Sequence, residues 1–262
     1  MQHIVKELWI YPIKSLGGIK VDSAQAETEG LRYDRRWMLV DDSGKFITQR
    51  EHHQMSTFNS VMDNNQLTVH HNGDSVAIPL TAISDNILNV KVWSSQLMAA
   101  EVDPHISEWF SDHLSMRATL VRMTDISNRP KLLKVPPYNT EVSLADGYPY
   151  LILGEESMRH LNGKLENPVS ANRFRANIIV ASDVPHIEDT WGSVDIGKAT
   201  LKVIKPCARC VVITIDQQTG IAGKEPTRTL ATYRKKKNSI MFGANAICTI
   251  EGKIKVGDVI EF

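Results

Sequence analysis

The stretch RRWMLVDDSGKFITQ, from Arg35 to Gln49, indicates the kind of fold that this chain adopts. It consists of two β-rich runs on either side of an Asp-Asp-Ser-Gly sequence at residues 41–44. Because Asp and Gly tolerate the backbone angles of a tight turn, the stretch predicts two strands joined by a turn. Further along, QLTVHHNGDSVAIPL, from Gln66 to Leu80, repeats the pattern around Asn72-Gly73, which is a strong hairpin signal. Both stretches predict β-structure that begins from local turns.

Short β-rich runs also occupy both ends of the chain, from Val5 to Ile13 and from Ala246 to Phe262. Two stretches instead show helical spacing of their apolar residues, from Asp103 to Leu114 and from Glu155 to Glu166. In the first of these, Asp103 is suited to cap a helix, and the proline after it suits the first helical position. Because both helices lie between β-rich stretches, the sequence predicts a mostly β fold of the α+β class, with a few helices packed on sheets.

Composition restricts the classes of partner that this chain can have. The chain has 262 residues, and Lys plus Arg equal Asp plus Glu at 30 each. Such a neutral chain has no bulk field for nucleic acid or an anionic membrane, so any basic site must be local. No apolar run approaches the roughly 18–20 residues of a membrane span, and the N-terminal residues do not resemble a signal peptide. We therefore expect a cytoplasmic protein without a membrane or nucleic-acid partner, in which the cysteines are thiols.

The stretch from Ser127 to Tyr150 has the least regular pattern in the chain. It contains four prolines and shows neither helical nor strand periodicity. Irregular stretches of this length are uncommon inside compact domains and are often functional. The sequence therefore predicts either a linker between two domains or the lid or wall of a site.

The segment KPCARC, from Lys205 to Cys210, contains two of the three cysteines. A structural zinc site needs four ligands, usually from two pairs, and Cys248 lies far along the chain without a nearby partner. A thioredoxin-like dithiol begins a helix, whereas strand-like residues follow Cys210. Two buried cysteines are a further alternative, although Arg209 between them is better placed in a site, where a cation favours thiolate. The last interpretation is a single thiolate that ligates a soft metal.

Several short motifs, of which KPCARC is one, follow one another along nearly the whole chain. They are YPIKSLGG (Tyr11 to Gly18), GLRYDRRWMLVD (Gly30 to Asp41), LADGYPYLILGEES (Leu144 to Ser157), NRFRANI (Asn172 to Ile178), EDTWGSVDIG (Glu188 to Gly197), KPCARC (Lys205 to Cys210), TIDQQTG with GKEPTRTL (Thr214 to Leu230) and KIKVGD (Lys253 to Asp258). Each is weak alone, but the ordered set resembles the MOSC family, which is named after the C-terminal domain of molybdenum cofactor sulfurase. Within that family the set is most similar to the mitochondrial amidoxime reducing component and its bacterial relatives.

The resemblance implies two β-rich domains that clasp a molybdenum cofactor, a molybdopterin, between them. These are a MOSC N-terminal β-barrel-like domain over residues 1–120 and a MOSC-type β-barrel domain over residues 121–262. The resemblance implies that Cys210 ligates the metal and is catalytic, while Cys207 is only its neighbour. It also implies a catalytic role for Asp146, which would relay protons or orient a substrate amine. Considered alone, Asp146 next to Gly147 is a typical turn residue.

Basic and polar residues in the matching segments are implied to hold the cofactor. They are Lys14, Ser15, Arg35, Arg50, Arg175, Asn177 and Arg209. Lys14 and Ser15 suit a phosphate because they offer charge and a hydroxyl, and Arg175 suits phosphate or pterin because a guanidinium binds in a bidentate manner. Without the resemblance, Lys14 would be interpreted as a surface lysine and Arg35 as the ion-pair partner of Asp34. The run around Lys224 matches the family without an assigned chemistry.

The activity that the resemblance implies is the molybdenum-dependent reduction of N-hydroxylated compounds, such as hydroxylaminopurines and amidoximes. The sequence has no ferredoxin-type cysteine cluster. We therefore expect a separate electron-transfer protein, such as a ferredoxin, a flavodoxin or a cytochrome b5-like protein. The alternative is a non-enzymatic carrier of the cofactor or of sulfur. Ala208 replaces a common serine and Tyr148 a small polar residue, and both changes leave the substrate open.

Overall fold

The structure is a computed structural model. It describes residues 2–63, 66–81, 84–125, 127, 129–132 and 139–262. Among these residues, no helix has the length and the apolar character that crossing a membrane requires.

Strands dominate the described residues, which confirms the mostly β prediction. The strands are β1 (Ile4–Ile10), β2 (Ile19–Val21), β3 (Ser23–Glu27), β4 (Gly30–Leu31), β5 (Trp37–Val40), β6 (Asn59–Met62), β7 (Gln66–His71), β8 (Asp74–Pro79), β9 (Ile87–Val92), β10 (Ser95–Glu101), β11 (Thr119–Arg122), β12 (Pro130–Leu132), β13 (Asn139–Glu141), β14 (Tyr150–Gly154), β15 (Ile178–Ala181), β16 (Ser193–Ile196), β17 (Ala199–Arg209), β18 (Lys235–Lys236), β19 (Ser239–Ile250), β20 (Gly252–Lys255) and β21 (Ile260–Glu261). The α-helices are α1 (Pro104–Leu114), α2 (Glu155–Asn162) and α3 (Thr227–Ala231).

The largest sheet has the order β2-β1-β15-β14-β19-β17-β16-β21, with β18 paired to β19. Its longest strands, β17 and β19, pair antiparallel from Thr200 opposite Ile250 to Arg209 opposite Ile240. Over the first part of β17 the core-facing residues of both strands, such as Leu201 and Ala246, are apolar and buried. Cys210 therefore follows β17 at the end of the sheet where β18 is also paired.

Two antiparallel strand pairs, which we call seams, join the first part of the chain to the second, one in this sheet and one in the separate sheet β20-β3-β4. Strand β1 pairs antiparallel with β15, with Leu8 opposite Ile178. Strand β3 pairs antiparallel with β20, with Ala24 opposite Ile254. The first residues of the chain thus complete a sheet that is otherwise built after residue 149. The division at residue 120 remains a prediction, and both seams cross it.

The remaining strands of the first half form two smaller sheets, β5-β11-β10-β9 and β6-β7-β8. Helix α1 packs between them over a core that includes Trp37, Phe58 and Phe110. The predicted Asn72-Gly73 hairpin is confirmed, because both residues have positive φ, 49° and 83°, between β7 and β8. The turn at residues 41–44 is also present, although its second arm makes only isolated bridges.

Both predicted helices are present. In α1, the Asp103 side chain accepts a hydrogen bond from the His105 backbone N–H at 2.8 Å, so the predicted cap is confirmed. Helix α2 ends at Asn162, before the predicted Glu166. After the Gly163 N–H, which still donates to the Arg159 carbonyl at 2.9 Å, Lys164 and Leu165 donate only three residues back, to the Leu161 and Asn162 carbonyls, so the last turn tightens and the α-helix does not continue.

Candidate functional site

A cavity of about 920 Å³ lies between the two halves of the chain. Its wall includes every site residue that the sequence analysis named: Lys14, Ser15, Arg35, Arg50, Asp146, Arg175, Asn177, Arg209 and Cys210. The topology brings them together because β1 lies beside β15, and the loop after β1 therefore faces the segment before β15. Their chemical roles remain predictions at this point.

The charge of this wall is strongly unbalanced. Among the described residues, seven cationic side chains and one carboxylate line the cavity: Lys14, Arg35, Arg50, Arg129, Arg175, Lys205 and Arg209 against Asp146. The whole chain has equal numbers of basic and acidic residues, 30 each. The positive charge is therefore concentrated at this site, as a polyanion would require.

Two arginines stack against one buried aromatic ring. The guanidinium carbons of Arg35 and Arg175 lie 4.4 Å and 4.3 Å from the centre of the Tyr11 ring. Arg35 is fixed by buried Asp34 at 2.5 Å and donates to the Arg175 carbonyl at 3.1 Å, while Arg175 donates to the Leu16 carbonyl at 2.7 Å. Burial, with Arg35 nearby, lowers the pKa of Arg175 to about 10, so Arg175 remains a cation at neutral pH. These contacts hold two adjacent cations in place.

Arg209 has one buried donor without a protein partner. Its guanidinium donates to the Phe174 carbonyl at 2.7 Å and to the Cys207 sulfur at 3.2 Å. Its Nε–H is buried and has no acceptor among the described residues. The side-chain oxygen of Gln49 is also buried and has no donor among them. Buried polar groups normally have partners. A ligand with both acceptors and donors would satisfy these two atoms.

The cysteine pair lies at the end of β17. Cys210 has an extended backbone and precedes a short 3₁₀ turn, Val211–Thr214. Cys207 and Cys210 are both half-buried and line the cavity, whereas Cys248 is buried in the core of the large sheet. Burial raises the pKa of the Cys248 thiol to about 11, so it stays protonated. No group of three or more His, Cys, Asp and Glu side chains among the described residues is arranged to hold a metal ion.

Lys14 and Asp146 form an ion pair at the cavity wall. Lys14 is buried and also donates to the Leu144 carbonyl at 2.8 Å. Burial lowers the pKa of Lys14 to about 8, and Asp146 only partly opposes this shift. Burial alone would raise the pKa of Asp146, but Lys14 and Arg50 outweigh it and hold that pKa well below its usual range. Asp146 is therefore ionised at neutral pH.

Two family models match this chain. Residues 2–117 match the MOSC N-terminal beta barrel domain, and residues 139–261 match the MOSC domain. The mitochondrial amidoxime-reducing component 1 of Mus musculus is 31% identical over 97% of this chain and 80% of its own length. The chain belongs to the MOSC family. The predicted resemblance is confirmed.

Two further relatives extend the comparison. Mitochondrial amidoxime reducing component 2 of Bos taurus is 32% identical over 97% of this MOSC chain and 81% of its own length. Molybdenum cofactor sulfurase of Oryza sativa subsp. japonica is 31% identical over 91% of this chain but only 32% of its own length. The similarity thus extends over both halves of the MOSC chain.

Asn177, one of the predicted site residues of this MOSC protein, uses its side chain mainly for hydrogen bonds to the backbone. The Asn177 amide donates to the Trp9 carbonyl at 3.3 Å and accepts from the Leu151 backbone N–H at 3.2 Å. Asn177 is almost fully buried. It therefore ties β1, β14 and β15 together beside the cavity, which positions the residues around it.

The structure also adds residues that sequence reasoning missed. Arg129 is buried and donates to the Ser143 and Ala145 carbonyls at 2.7 Å and 2.5 Å, so it supports the segment that carries Asp146. Trp93 donates to Asp146 at 3.1 Å and stacks 4.3 Å from the Arg50 guanidinium. Neither lies in a matching segment, and an isolated arginine or tryptophan gives no sequence signal.

The irregular stretch from Ser127 to Tyr150 contributes to the cavity wall. Arg129, Ala145, Asp146 and Tyr148 lie in the wall, as the lid-or-wall alternative requires. Residues 126, 128 and 133–138 lie outside the described residues.

Proposed function

We propose that this MOSC protein binds a molybdenum cofactor in the cavity and reduces N-hydroxylated compounds with electrons from a separate donor. The observation that carries the proposal is the half-buried thiol of Cys210 in a wall of seven cations and one carboxylate. Relatives named amidoxime-reducing components, 31% and 32% identical over most of both chains, support the class of reaction.

The residues present fit a phosphate-bearing pterin. Arg35 and Arg175 offer adjacent, fixed cations, and arginine suits bidentate phosphate binding. The unpartnered Arg209 N–H and Gln49 oxygen offer one donor and one acceptor to a ring that has both kinds of group. Cys210 offers a sulfur ligand in the same wall, and the family resemblance makes it the proposed molybdenum ligand.

Lys14 can keep its contact with Asp146 and still hold a phosphate. An ammonium has three N–H donors. Two of them already reach Asp146 and the Leu144 carbonyl. The third remains for an anion, and Ser15 adds a hydroxyl from the next position in the same wall.

The cofactor, when bound, supplies the two-electron chemistry that removes oxygen from an N–O bond. The balanced reaction takes a hydroxylamine, two electrons and two protons to an amine and water. Asp146, ionised at neutral pH, is suited to accept a hydrogen bond from a substrate N–H rather than to donate a proton. Lys14 and Arg50 hold this carboxylate in place, so it orients the substrate.

Metal content and turnover together test the proposal. Protein produced with molybdate is expected to contain molybdenum by mass spectrometry and a fluorescent oxidised pterin after extraction. Loaded protein with dithionite-reduced viologen is expected to convert 6-hydroxylaminopurine to adenine. Loaded protein without turnover on any N-hydroxylated compound would instead support the carrier alternative.

A matched cysteine pair tests the ligand assignment. Cys210→Ser is expected to lose molybdenum, because a hydroxyl is a poor replacement for a soft thiolate. Cys207→Ser, three positions earlier on the same wall, is expected to retain it. Retention of molybdenum by the Cys210 variant would refute the assignment whichever role the protein has.

A further inference from the structure

Two apolar side chains are exposed beside the cavity. Val211, which follows Cys210 directly, is 50% exposed, and Ile221 is 69% exposed. The Gly223 N–H donates to the Thr214 carbonyl at 3.0 Å, and this bond joins the loop of Ile221 to the turn that begins at Val211. Both side chains therefore lie on segments that are joined next to Cys210.

A lysine run lies next to the same end of the large sheet. Lys235 pairs with Ile240 across β18 and β19, and Ile240 pairs with Arg209 on β17. Neighbouring strands are separated by about 4.8 Å, so the Lys235 backbone lies about 10 Å from that of Arg209. Lys235, Lys236 and Lys237 are all exposed. Three cations thus stand within one hairpin beside the residue that precedes Cys210.

Helix α3 and the cavity rim add further cations. Lys224 and Arg228 are exposed, and α3, which carries Arg228, packs against both the turn after Cys210 and strand β19. Lys205 is exposed on β17, and its ammonium lies 5.2 Å from the centre of the Tyr148 ring at the cavity wall. We refer to Lys205, Lys224, Arg228, Lys235, Lys236 and Lys237 together as the basic collar.

The charge of the basic collar is not neutralised within the protein. None of its six members forms an ion pair with an acidic side chain of the described residues. Of the acids on adjoining segments, Asp189 pairs with Arg234 and Asp216 pairs with Arg173 at 2.7 Å, while Glu225 accepts from the Thr229 backbone N–H at 3.0 Å. In a chain with 30 basic and 30 acidic residues, this collar is a local excess of positive charge.

We propose that the basic collar, together with the exposed apolar residues Val211 and Ile221, is the docking surface for a small acidic electron-transfer protein. This inference rests on the proposed function. Protein interfaces combine exposed apolar groups with polar groups, and opposite charges steer such encounters. The surface adjoins the proposed metal ligand, so a docked donor comes close to the cofactor. A one-electron donor such as a reduced [2Fe–2S] ferredoxin docks twice per turnover and is oxidised each time, which supplies the two electrons for each N–O bond reduced.

Charge reversal tests the surface against a matched control. The test variant is Lys235→Glu/Lys236→Glu/Lys237→Glu. The control is Lys198→Glu/Lys253→Glu/Lys255→Glu, which makes the same charge change at exposed residues near the opposite end of β17, about 30 Å away at about 3.3 Å per residue. With loaded enzyme, an acidic [2Fe–2S] ferredoxin as donor and 6-hydroxylaminopurine as substrate, the test variant is expected to raise the KM for ferredoxin at least about tenfold at low salt. The control is expected to stay within about twofold of the parent.

Turnover with reduced viologen distinguishes a failure of the proposed docking surface from a failure of the proposed function. All three proteins are expected to show equal viologen-driven turnover, because no substituted residue lies in the proposed machinery. A ferredoxin KM equally raised in the test and control variants, or unchanged in both, would overturn the docking surface. Absence of viologen-driven turnover in the parent protein would instead count against the proposed function.

A binding measurement keeps the proposal testable without activity. Carbodiimide cross-linking joins lysine ammonium groups directly to carboxylates, and mass spectrometry locates the linked residues. Links from ferredoxin are expected at Lys224 and Lys235–Lys237 and not at Lys253 or Lys255. The opposite distribution contradicts the proposal. A second result would also contradict the proposal: an oligonucleotide binds the parent but not the test variant, while ferredoxin binds both equally. That result would assign the basic collar to nucleic acid.

Discussion

At the scale of single residues, three cavity side chains project from a backbone conformation that L residues rarely adopt. Ser15, Arg35 and Arg175 have φ values of 73°, 51° and 54°. Each such residue costs about 1–2 kcal/mol relative to a right-handed conformation. Backbone hydrogen bonds hold the two arginines there: Arg35 donates to the Tyr11 carbonyl at 2.9 Å and Arg175 to the Asn172 carbonyl at 3.1 Å. Strain of this kind is concentrated at binding sites, where it fixes side chains before a ligand arrives.

Lys14 gives the cavity a charge that depends on pH. Burial lowers its pKa to about 8, so Lys14 is a cation below that pH and neutral above it, whereas the arginines stay charged. We expect the affinity for sulfate, whose own charge is constant in this range, to fall by up to about tenfold between pH 7 and 9. Trp93 in the cavity wall provides a fluorescence signal for the titration. In Lys14→Arg the affinity is expected to stay level, and an equal decline in that variant would assign the pH dependence to another group.

The site was predictable only where short motifs carry it. The segments around Lys14, Arg175 and Cys210 could be recognised because their residues are close in sequence. Arg129 and Trp93 could not be recognised, because their place in the wall depends on how distant loops fold together. The left-handed backbone at Arg35 could not be predicted either, because the position is not a glycine, the residue that usually indicates such a conformation.

At the scale of elements, the cap of α1 shows how much one local contact contributes. The Asp103 carboxylate accepts from the His105 N–H at 2.8 Å, and replacing such a cap by alanine costs about 1 kcal/mol. Asp103→Ala is therefore expected to lower the free energy of unfolding by about that amount, measured by urea denaturation. Asp112→Ala is the control, because Asp112 is exposed in the last turn of the same helix, where a negative charge is unfavourable. A loss as large in the control as in the cap variant would contradict the capping argument.

Gly73, in the turn between β7 and β8, and Gly252, at the start of β20, are required for different physical reasons. Gly73 has a φ of 83° with open space where a Cβ would lie, whereas a Cβ on Gly252 would lie 2.1 Å from the Lys198 carbonyl oxygen. Gly73→Ala is expected to cost only the conformational penalty, about 1 kcal/mol. Gly252→Ala is expected to cost about 3 kcal/mol, at the upper end of overpacking costs, because a backbone atom must move. Equal unfolding midpoints for the two variants in urea would show that the close approach is not a constraint.

Turn and cap signals made the local elements predictable, but not their distant partners. The Asn72-Gly73 turn determines how β7 pairs with β8, since the strands are adjacent in sequence. The partner of β1 is β15, and nothing near β1 specifies it. Long-range pairing depends on complementary apolar faces that many strands share.

At the scale of the whole molecule, the cavity exists because the two halves interlock. Arg35 donates to the Arg175 carbonyl at 3.1 Å, and Lys14 donates to the Leu144 carbonyl at 2.8 Å. These bonds lie next to the seam between β1 and β15. The family resemblance implied that both halves contribute to one site. It did not predict that the first strand lies inside the sheet of the second half.

This interlocking predicts that the two halves unfold together. Separating them would remove β1 from β15 and β3 from β20, which exposes apolar residues such as Leu8 and Ile254 that are fully buried in one common core. We expect hydrogen exchange, followed by mass spectrometry across a urea series, to lose protection at the same midpoint in α1 and in β19. Leu8→Ala should lower both midpoints equally, because removing a buried leucine costs about 2–5 kcal/mol and the seam belongs to both halves. If β19 lost protection earlier in that variant while α1 kept its parent midpoint, the halves would be independent folding units joined only by the chain.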